Sequence, residues 1–317
     1  MKYLARAISA AAILFATAAQ AEFPEKPVTL VVPFAAGGSN DILGRYIGDS
    51  LSKVWGKPVV VSNMPGAGAA IGSAHVSKAE PDGHTLLIAS VTFTMNPAVQ
   101  PNLPFDPKKD FQPVAMLGKV PLVLVVGKSL TANTVQEFIA AAKERELAYA
   151  TSGLGSVNQF GAELFAQSAG IKMEPVHYKG GSEAMTDVIG GHVDSFFSSM
   201  TQALPLIRGG QMRGLVISGS ERSAAVPEIP TTDEAGIPGV DVEQWWSVLA
   251  PAGTPMDIVE KINADINAIL ATQEAKDFFA KDAGRPTPMS VASLTDLINT
   301  ELDKWSDIAE RAGIKAD

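Results

Sequence analysis

Short apolar runs alternate with amphipathic stretches along most of this chain, and that rhythm leaves few folds open. Val28–Val32, Val59–Val61 and Thr85–Ala89 read as buried strands, with helical spacing at about Asp41–Trp55 and Ile71–Ala79 between them. Apolar strands separated by helices form parallel sheets, because each parallel connection needs a crossover and the crossover helix covers a face of the sheet. The rhythm breaks at Phe111–Val126, where proline-punctuated strand-like segments end in Leu122-Val-Leu-Val-Val126 with no helix between them. That break is expected to carry the chain into a second lobe. Helices over Thr134–Glu144, Asn158–Ala169, Glu183–Ile189 and Leu204–Arg208 then alternate with strands Leu147–Ala150, Glu174–His177, Ser195–Ser198 and Gly214–Ser218. After a proline-rich loop, Val226–Pro238, the stretch Val242–Leu249 reads as a strand returning the chain. Two amphipathic segments without strands, Met256–Ala271 and Val291–Ala312, are assigned to the first lobe. The expected fold class is α/β, two βα sheet domains joined by two hinge strands, with residues 22–122 and 247–317 in lobe 1 and 123–246 in lobe 2. Ligands of such sheets bind beyond the carboxyl ends of the strands, here in the cleft between the lobes.

The first 21 residues stand apart from this pattern. Lys2 and Arg6 precede an apolar core, Ile8–Ala18, and a small-x-small site, Ala19-Gln20-Ala21. This is the order of a secretory signal peptide cleaved after Ala21, the alternative being a buried N-terminal helix. The apolar part falls short of the ~20 residues that span a bilayer, no later stretch reaches that length, and Glu22 rather than Cys follows the cleavage site. Export without membrane insertion is therefore expected. The mature chain would have 296 residues, enough for two lobes. Of 25 basic residues, removal of Lys2 and Arg6 leaves 23 against 34 acidic ones, a formal charge of −11. That balance argues against nucleic acid and anionic membranes as partners. With no cysteine in an exported chain, stability must come from apolar burial rather than disulfides.

Most enzyme readings fail on spacing. Pro33-Phe-Ala-Ala-Gly-Gly-Ser-Asn-Asp41 lacks the Lys of a nucleotide-hydrolysing phosphate loop. Gly66-Ala-Gly68-Ala-Ala-Ile71 nearly spells a dinucleotide fingerprint, but Ile71 takes the third glycine position and the next strand ends in Ser90 rather than an acid. This loop is either a bare turn or a backbone contact to ligand. Ser50-Leu-Ser-Lys53 matches SxxK without SDN or KTG partners. His75, His84, His177 and His192 show no metal-ligand spacing, and no cofactor is expected. A secreted hydrolase using Ser156 stays as an alternative of a different class, although no serine lies in a G-x-S-x-G elbow.

A pair of similar loops recurs, one per lobe. Phe34–Asp41 and Thr151–Asn158 each take a strand into a helix through glycines and hydroxyls. The unpaired N–H groups and positive dipole end of a helix start favour an anion. Gly37, Gly38, Gly153 and Gly155 let backbone approach closely, and Ser39, Thr151, Ser152 and Ser156 offer hydroxyls. Ser39 and Ser156 read equally as plain N-caps worth about 1 kcal/mol each. Their duplication on opposed lobes favours a clamp for a carboxylate.

The motifs Pro33-Phe-Ala-Ala-Gly-Gly-Ser-Asn-Asp41, Pro65-Gly-Ala-Gly68, Pro81-Asp-Gly-His-Thr-Leu86, Tyr178-Lys-Gly180 and Ala250-Pro-Ala-Gly-Thr-Pro255 occur in this order along the mature chain. The sequence thereby resembles the Bug, or TctC-like, family of periplasmic receptors for tripartite tricarboxylate transporters. The resemblance implies a two-lobed periplasmic binding-protein fold of type II, a monomer in the periplasm, a small organic carboxylate as ligand, and delivery to the large and small membrane subunits of the transporter. A sensing role with a periplasmic signalling partner is the alternative. It also implies that the two loops hold the carboxylate through backbone N–H groups, hydroxyls and waters rather than basic side chains. That suits a chain whose net charge cannot attract an anion and whose field is screened beyond ~8–10 Å.

The candidate ligand contacts are Phe34, Gly37, Gly38, Ser39, Asn40 and Asp41 from the first loop, with Gly68, Ala69, Ser90 and Thr92 beside it. From the second lobe come Thr151, Ser152, Gly155, Ser156, Asn158, Lys179 and Ser199. Asp41 either caps its helix or faces a donor on the ligand, and Lys179 is either a contact or a solvated surface residue. Phe34 reads as an apolar wall. Phe93 and Met95 stand where relatives often carry smaller or more polar residues; as a wall they would favour an apolar-bodied acid.

Overall fold

The computed structural model describes residues 23–315; the expected signal peptide lies outside the described residues. In the first lobe β1 (Val28–Val32) is flanked by β2 (Val59–Asn63) and β3 (Thr85–Ser90), both parallel to it. The crossovers are α1 (Ser39–Trp55) and α2 (Ala70–Ser77), and α3 (Thr92–Val99) follows β3.

The chain leaves this sheet through one strand. β4 (Phe111–Val126) runs for 16 residues and serves two sheets. Its first part, Phe111–Pro121, pairs antiparallel with β9 (Glu243–Pro251), whose other edge pairs with β3. Its second part, Leu122–Val126, pairs with β7 (Ser195–Ser199) and β8 (Arg213–Ile217). The prolines that suggested separate segments are absorbed at the interruptions of the ladder. Pro113 adjoins a register shift and Pro121 is the last residue facing β9, places where a missing N–H costs no ladder bond. The return crossing lies beside the outgoing one, since Ser218 Oγ accepts the Leu122 N–H at 3.0 Å and donates to the Val242 carbonyl at 2.7 Å.

The second sheet repeats the parallel pattern. β5 (Leu147–Thr151) lies between β6 (Met173–His177) and β7, parallel to both. α4 (Val135–Glu144) and α5 (Val157–Ala169) cover one face with Phe138, Phe160 and Phe165. α6 (Gly181–Gly190) and α7 (Met200–Arg208) cover the other with Met185, Val188 and Leu204.

The C-terminal helices divide between the faces of the structure. α8 (Met256–Ala271) packs Val259, Ile262 and Ile266 with Leu43, Ile47 and Leu51 of α1 against the first sheet. α9 (Gln273–Ala280) and the short β10 (Arg285–Pro286) follow, β10 pairing with β4. α10 (Val291–Ala312) lies on the opposite face beside α3, but it does more than cover lobe 1. Trp305 reaches α5, where its ring meets Phe160 edge to face at 5.5 Å. α3 and α9 escaped the sequence reading: α3 begins with β-branched Thr92 and contains Pro97, and α9 is only 8 residues long.

Candidate ligand-binding cleft

The opening loop is built around one carboxylate. Asp41, 3% exposed in the first turn of α1, accepts the Gly37 N–H at 2.9 Å, Asn63 Nδ2 at 2.9 Å and Arg45 Nε at 3.0 Å. Burial pushes its acid strength down, but the Arg45 guanidinium, the Gly37 N–H and the Asn63 amide outweigh burial and hold Asp41 below the usual carboxylate range. Asp41 is engaged by Arg45 and by the backbone at its own helix start, the arrangement its capping alternative describes, and the Gly37 N–H is committed to it. What Gly37 supplies is its φ of +80°, a turn that glycine makes without strain. The N-cap is Gly38, with φ −78° and ψ 169°, so Ser39 is the first helical residue and not the cap.

The second loop is braced differently. Ser156 is the N-cap of α5, its Oγ accepting the Gln159 N–H at 3.4 Å, and it is fully buried. That is a structural role and it leaves the hydrolase reading without its nucleophile. Gly155 donates its N–H to Gln159 Oε1 at 2.8 Å. Thr151 Oγ1 accepts the Gly153 N–H at 3.1 Å and shares a hydrogen with His177 Nδ1 at 2.7 Å. Thr151, Gly155 and Ser156 therefore shape the loop and do not line the cavity. Ser152 does line it; its hydroxyl donates to Asn158 Oδ1, while Asn158 Nδ2 is anchored on the Phe197 carbonyl at 2.7 Å.

These loops meet over a small enclosed cavity with about 20 Å³ open to water, room for about one water molecule. Five helix starts converge on it. Gly38, Ser39 and Asn40 come from α1, Thr92 from α3, Val157 and Asn158 from α5, Gly181 from α6, and Ser199 and Gln202 from α7. Phe34 and Phe196 supply apolar wall and Gln244 of β9 a further amide. None of the described lining residues is ionisable. Each helix start carries roughly half a positive charge and up to four N–H groups without intrahelical partners, although the Val157 N–H of α5 is already given to Thr92 Oγ1 and Asp41 sits in the first turn of α1. Ser199 Oγ and Asn40 Oδ1 are buried here and have no protein partner.

The remaining expected contacts lie outside the cavity, Gly68 and the Lys179 backbone where the lobes touch. The Gly68 carbonyl accepts Asn96 Nδ2 at 2.6 Å, and the Leu154 carbonyl accepts Gln100 Nε2 at 3.1 Å. A Cβ on Gly68 would stand 2.2 Å from the Leu154 oxygen, so the lobes touch at this glycine. Ala69 is the N-cap of α2 and Ser90 is buried opposite Trp246. The Lys179 side chain is exposed; its backbone carbonyl accepts the Ala35 N–H at 3.3 Å, and Ser182 Oγ donates to the Ala36 carbonyl at 2.8 Å. Thr92 Oγ1 accepts the Val157 N–H at 3.2 Å, joining the lobes at the cavity wall. Gly68, Ala69, Ser90 and Lys179 are not among the residues lining this cavity.

Phe93 and Met95 are not a ligand wall either. Phe93 packs edge to face with Phe111 at 5.1 Å, and both residues belong to the core around α3 and α10. The sequence reading missed Val157, Gly181, Phe196, Gln202 and Gln244. Placing the start of α7 at Leu204, four residues late, hid Gln202 in its first turn. Gly181 directly follows the Tyr178-Lys-Gly180 motif, a signal that was on hand.

Residues 43–314 match the family described as tripartite tricarboxylate transporter family receptor. BugT of Bordetella pertussis is 34% identical over 297 residues, covering 92% of this chain and 91% of that protein. An R. palustris protein solved with adipate superposes with a TM-score of 0.90 at 32% identity, covering 93% of this chain and all of that one. MatC from Rhodopseudomonas palustris, with bound malate, gives 0.86 at 33% identity, covering 90% and 99%.

Proposed function

This chain belongs to the tripartite tricarboxylate transporter receptor family, and from that premise we propose that it captures a small organic carboxylate in the cleft between its lobes and hands it to the large and small membrane subunits of such a transporter. It is a solute-binding receptor of the periplasm and not an enzyme. The observation that carries the ligand class is the convergence of five helix starts on a cavity with no ionisable lining residue among those described.

The grip we infer is Gly38, Ser39 and Asn40 from one side, with Ser152, Ser199 and the α5, α6 and α7 starts from the other. The closed cavity has room for about one water, so a carboxylate enters as the lobes part, and closure brings these N–H groups and hydroxyls onto it. Micromolar capture requires roughly 8 kcal/mol net, within reach of several hydrogen bonds to a charged group at ~1.5–3 kcal/mol each. We place lobe 1 at 22–122 and 247–317 and lobe 2 at 123–246. The change of sheet at Leu122 supports the first boundary, and β9 pairing from Glu243 supports a return at or before the second. Action as a monomer, and cleavage after Ala21, belong to the same proposal.

A thermal-shift screen of mono-, di- and tricarboxylates tests it. A ligand at 100 times its Kd should stabilise the protein by about 2.7 kcal/mol, several degrees in Tm. No shift with any carboxylate would overturn the ligand class.

A further inference from the structure

Where the lobes touch at Gly68, glycine meets backbone. A Cβ on Gly153 would stand 2.9 Å from Gly68 Cα, as close a fit as the one Gly68 makes to the Leu154 oxygen. Gly155 is pressed on α3 in the same way, a Cβ there standing 2.7 Å from Val99 Cγ2 and 2.8 Å from Asn96 Cα. A side chain at any of these three positions would hold the lobes apart, so Gly153 and Gly155 let lobe meet lobe.

Two side-chain amides fasten this seam. Asn96 Nδ2 donates to the Gly68 carbonyl at 2.6 Å and to the Leu154 carbonyl at 3.3 Å. Gln100 Nε2 donates to the Leu154 carbonyl at 3.1 Å and to the Ala67 carbonyl at 3.4 Å. Asn96 lies in the last turn of α3 and Gln100 is its C-cap, one helical turn on, so both stand on the same face. Turning either amide over would set its oxygen against carbonyl oxygens, which fixes the donor ends on the seam. Each amide thus has one acceptor in its own lobe and shares a second, the Leu154 carbonyl, in the other. When the lobes part, Gly68 and Ala67 keep the two amides partnered and aimed, and only the bonds to Leu154 are lost. Closure regains those bonds without ordering a new side chain, the step that would otherwise cost rotamer freedom. Neither residue lines the cavity, so these bonds depend on closure and not on which acid lies inside.

We propose that Asn96 and Gln100 form a latch on the Leu154 carbonyl that sets how long the receptor stays closed on its ligand. They are positioning residues, holding the lobes and touching no ligand. The latch presupposes capture between the lobes, as proposed above, and adds what governs release. Overall affinity combines binding to the parted lobes with the closure equilibrium, and the latch enters only the second. Its loss should therefore weaken every acid by the same factor, and the change should fall on dissociation rather than association.

Stopped-flow dissociation of succinate, malate, adipate and citrate, each where it binds, from wild type, Gln100→Ala and Asn96→Ala provides the test. Gln100→Ala should release every bound acid about threefold or more faster, in keeping with the loss of one hydrogen bond, with association little changed. Asn96→Ala should act in the same direction. A change in release under threefold in Gln100→Ala would overturn the latch and leave carboxylate capture standing. So would a change that differs more than threefold between acids, the mark of a ligand contact, or a lower Tm with unaltered release, the mark of a purely structural role. Gln100 is half-buried at the end of its helix and its variant should fold; if Asn96→Ala does not, Gln100→Ala decides alone. Failure of every acid to bind would overturn the carboxylate reading and the latch together.

Discussion

Gly38→Val is expected to reduce carboxylate affinity by more than about a hundredfold while the protein still unfolds cooperatively. Gly38 has an ordinary φ of −78°, so the substitution introduces no left-handed strain. A Cβ there would meet the Ala35 carbonyl at 3.5 Å and the Gly181 nitrogen at 3.8 Å, both ordinary contacts. The fold loses only the N-cap preference for glycine over valine, about 1 kcal/mol. The cavity loses far more. Gly38 and Gly181 face each other across the lobes, and three added carbons would fill a space about one water in size. An affinity within threefold of wild type would mean that the ligand sits elsewhere.

Trp305→Ala is expected to have the largest effect on stability. The ring is 2% exposed, packs edge to face with Phe160, and donates its Nε1–H to Glu301 Oε2 in the same helix. Lys304 Nζ lies 4.5 Å from the ring centroid. Removing a buried tryptophan costs about 3–5 kcal/mol, or roughly 10 °C in Tm for a domain of this size. Because Trp305 does not line the cavity, affinity measured well below Tm should change less than about threefold. A Tm loss under 2 °C would show that α10 contributes little to joining α3 and α5.

Much of this fold was legible because its central strands, such as β1, β3 and β7, are buried on both faces. Val28–Val32 and the helices Met256–Ala271 and Val291–Ala312 have the bounds their spacing predicts, since apolar period and burial coincide there. What was hidden depends on tertiary partners. Pro113 and Pro121 look like breaks until β9 and the second sheet supply the ladder around them. The attachment of α10 to α5 through Trp305 leaves no trace in local periodicity.

The site divides along the same line. The two loops could be found from their glycines and hydroxyls, and Phe34, Gly38, Ser39, Asn40, Thr92, Ser152, Asn158 and Ser199 do line the cavity. Composition could not tell a residue that presents its N–H from one that has already given it away. Gly37 and Gly155 have the right chemistry, but Asp41 Oδ2 and Gln159 Oε1 hold their N–H groups. Gln244 was invisible for the opposite reason: it belongs to no motif, and only the crossing of β4 and β9 brings it to the cavity.

Helix starts, without a basic side chain, are proposed to hold the carboxylate. Calorimetry on the tightest-binding acid and its neutral primary amide, each at 50 and 500 mM NaCl, tests this most directly. The amide keeps the size and one oxygen but loses the charge and adds donors that face N–H groups. The amide should bind at least about a hundredfold more weakly, in keeping with lost charge-assisted bonds. The acid's affinity should change less than about threefold with salt, because a buried contact is little screened. Equal binding of acid and amide, or an acid affinity that collapses in 500 mM salt, would contradict it.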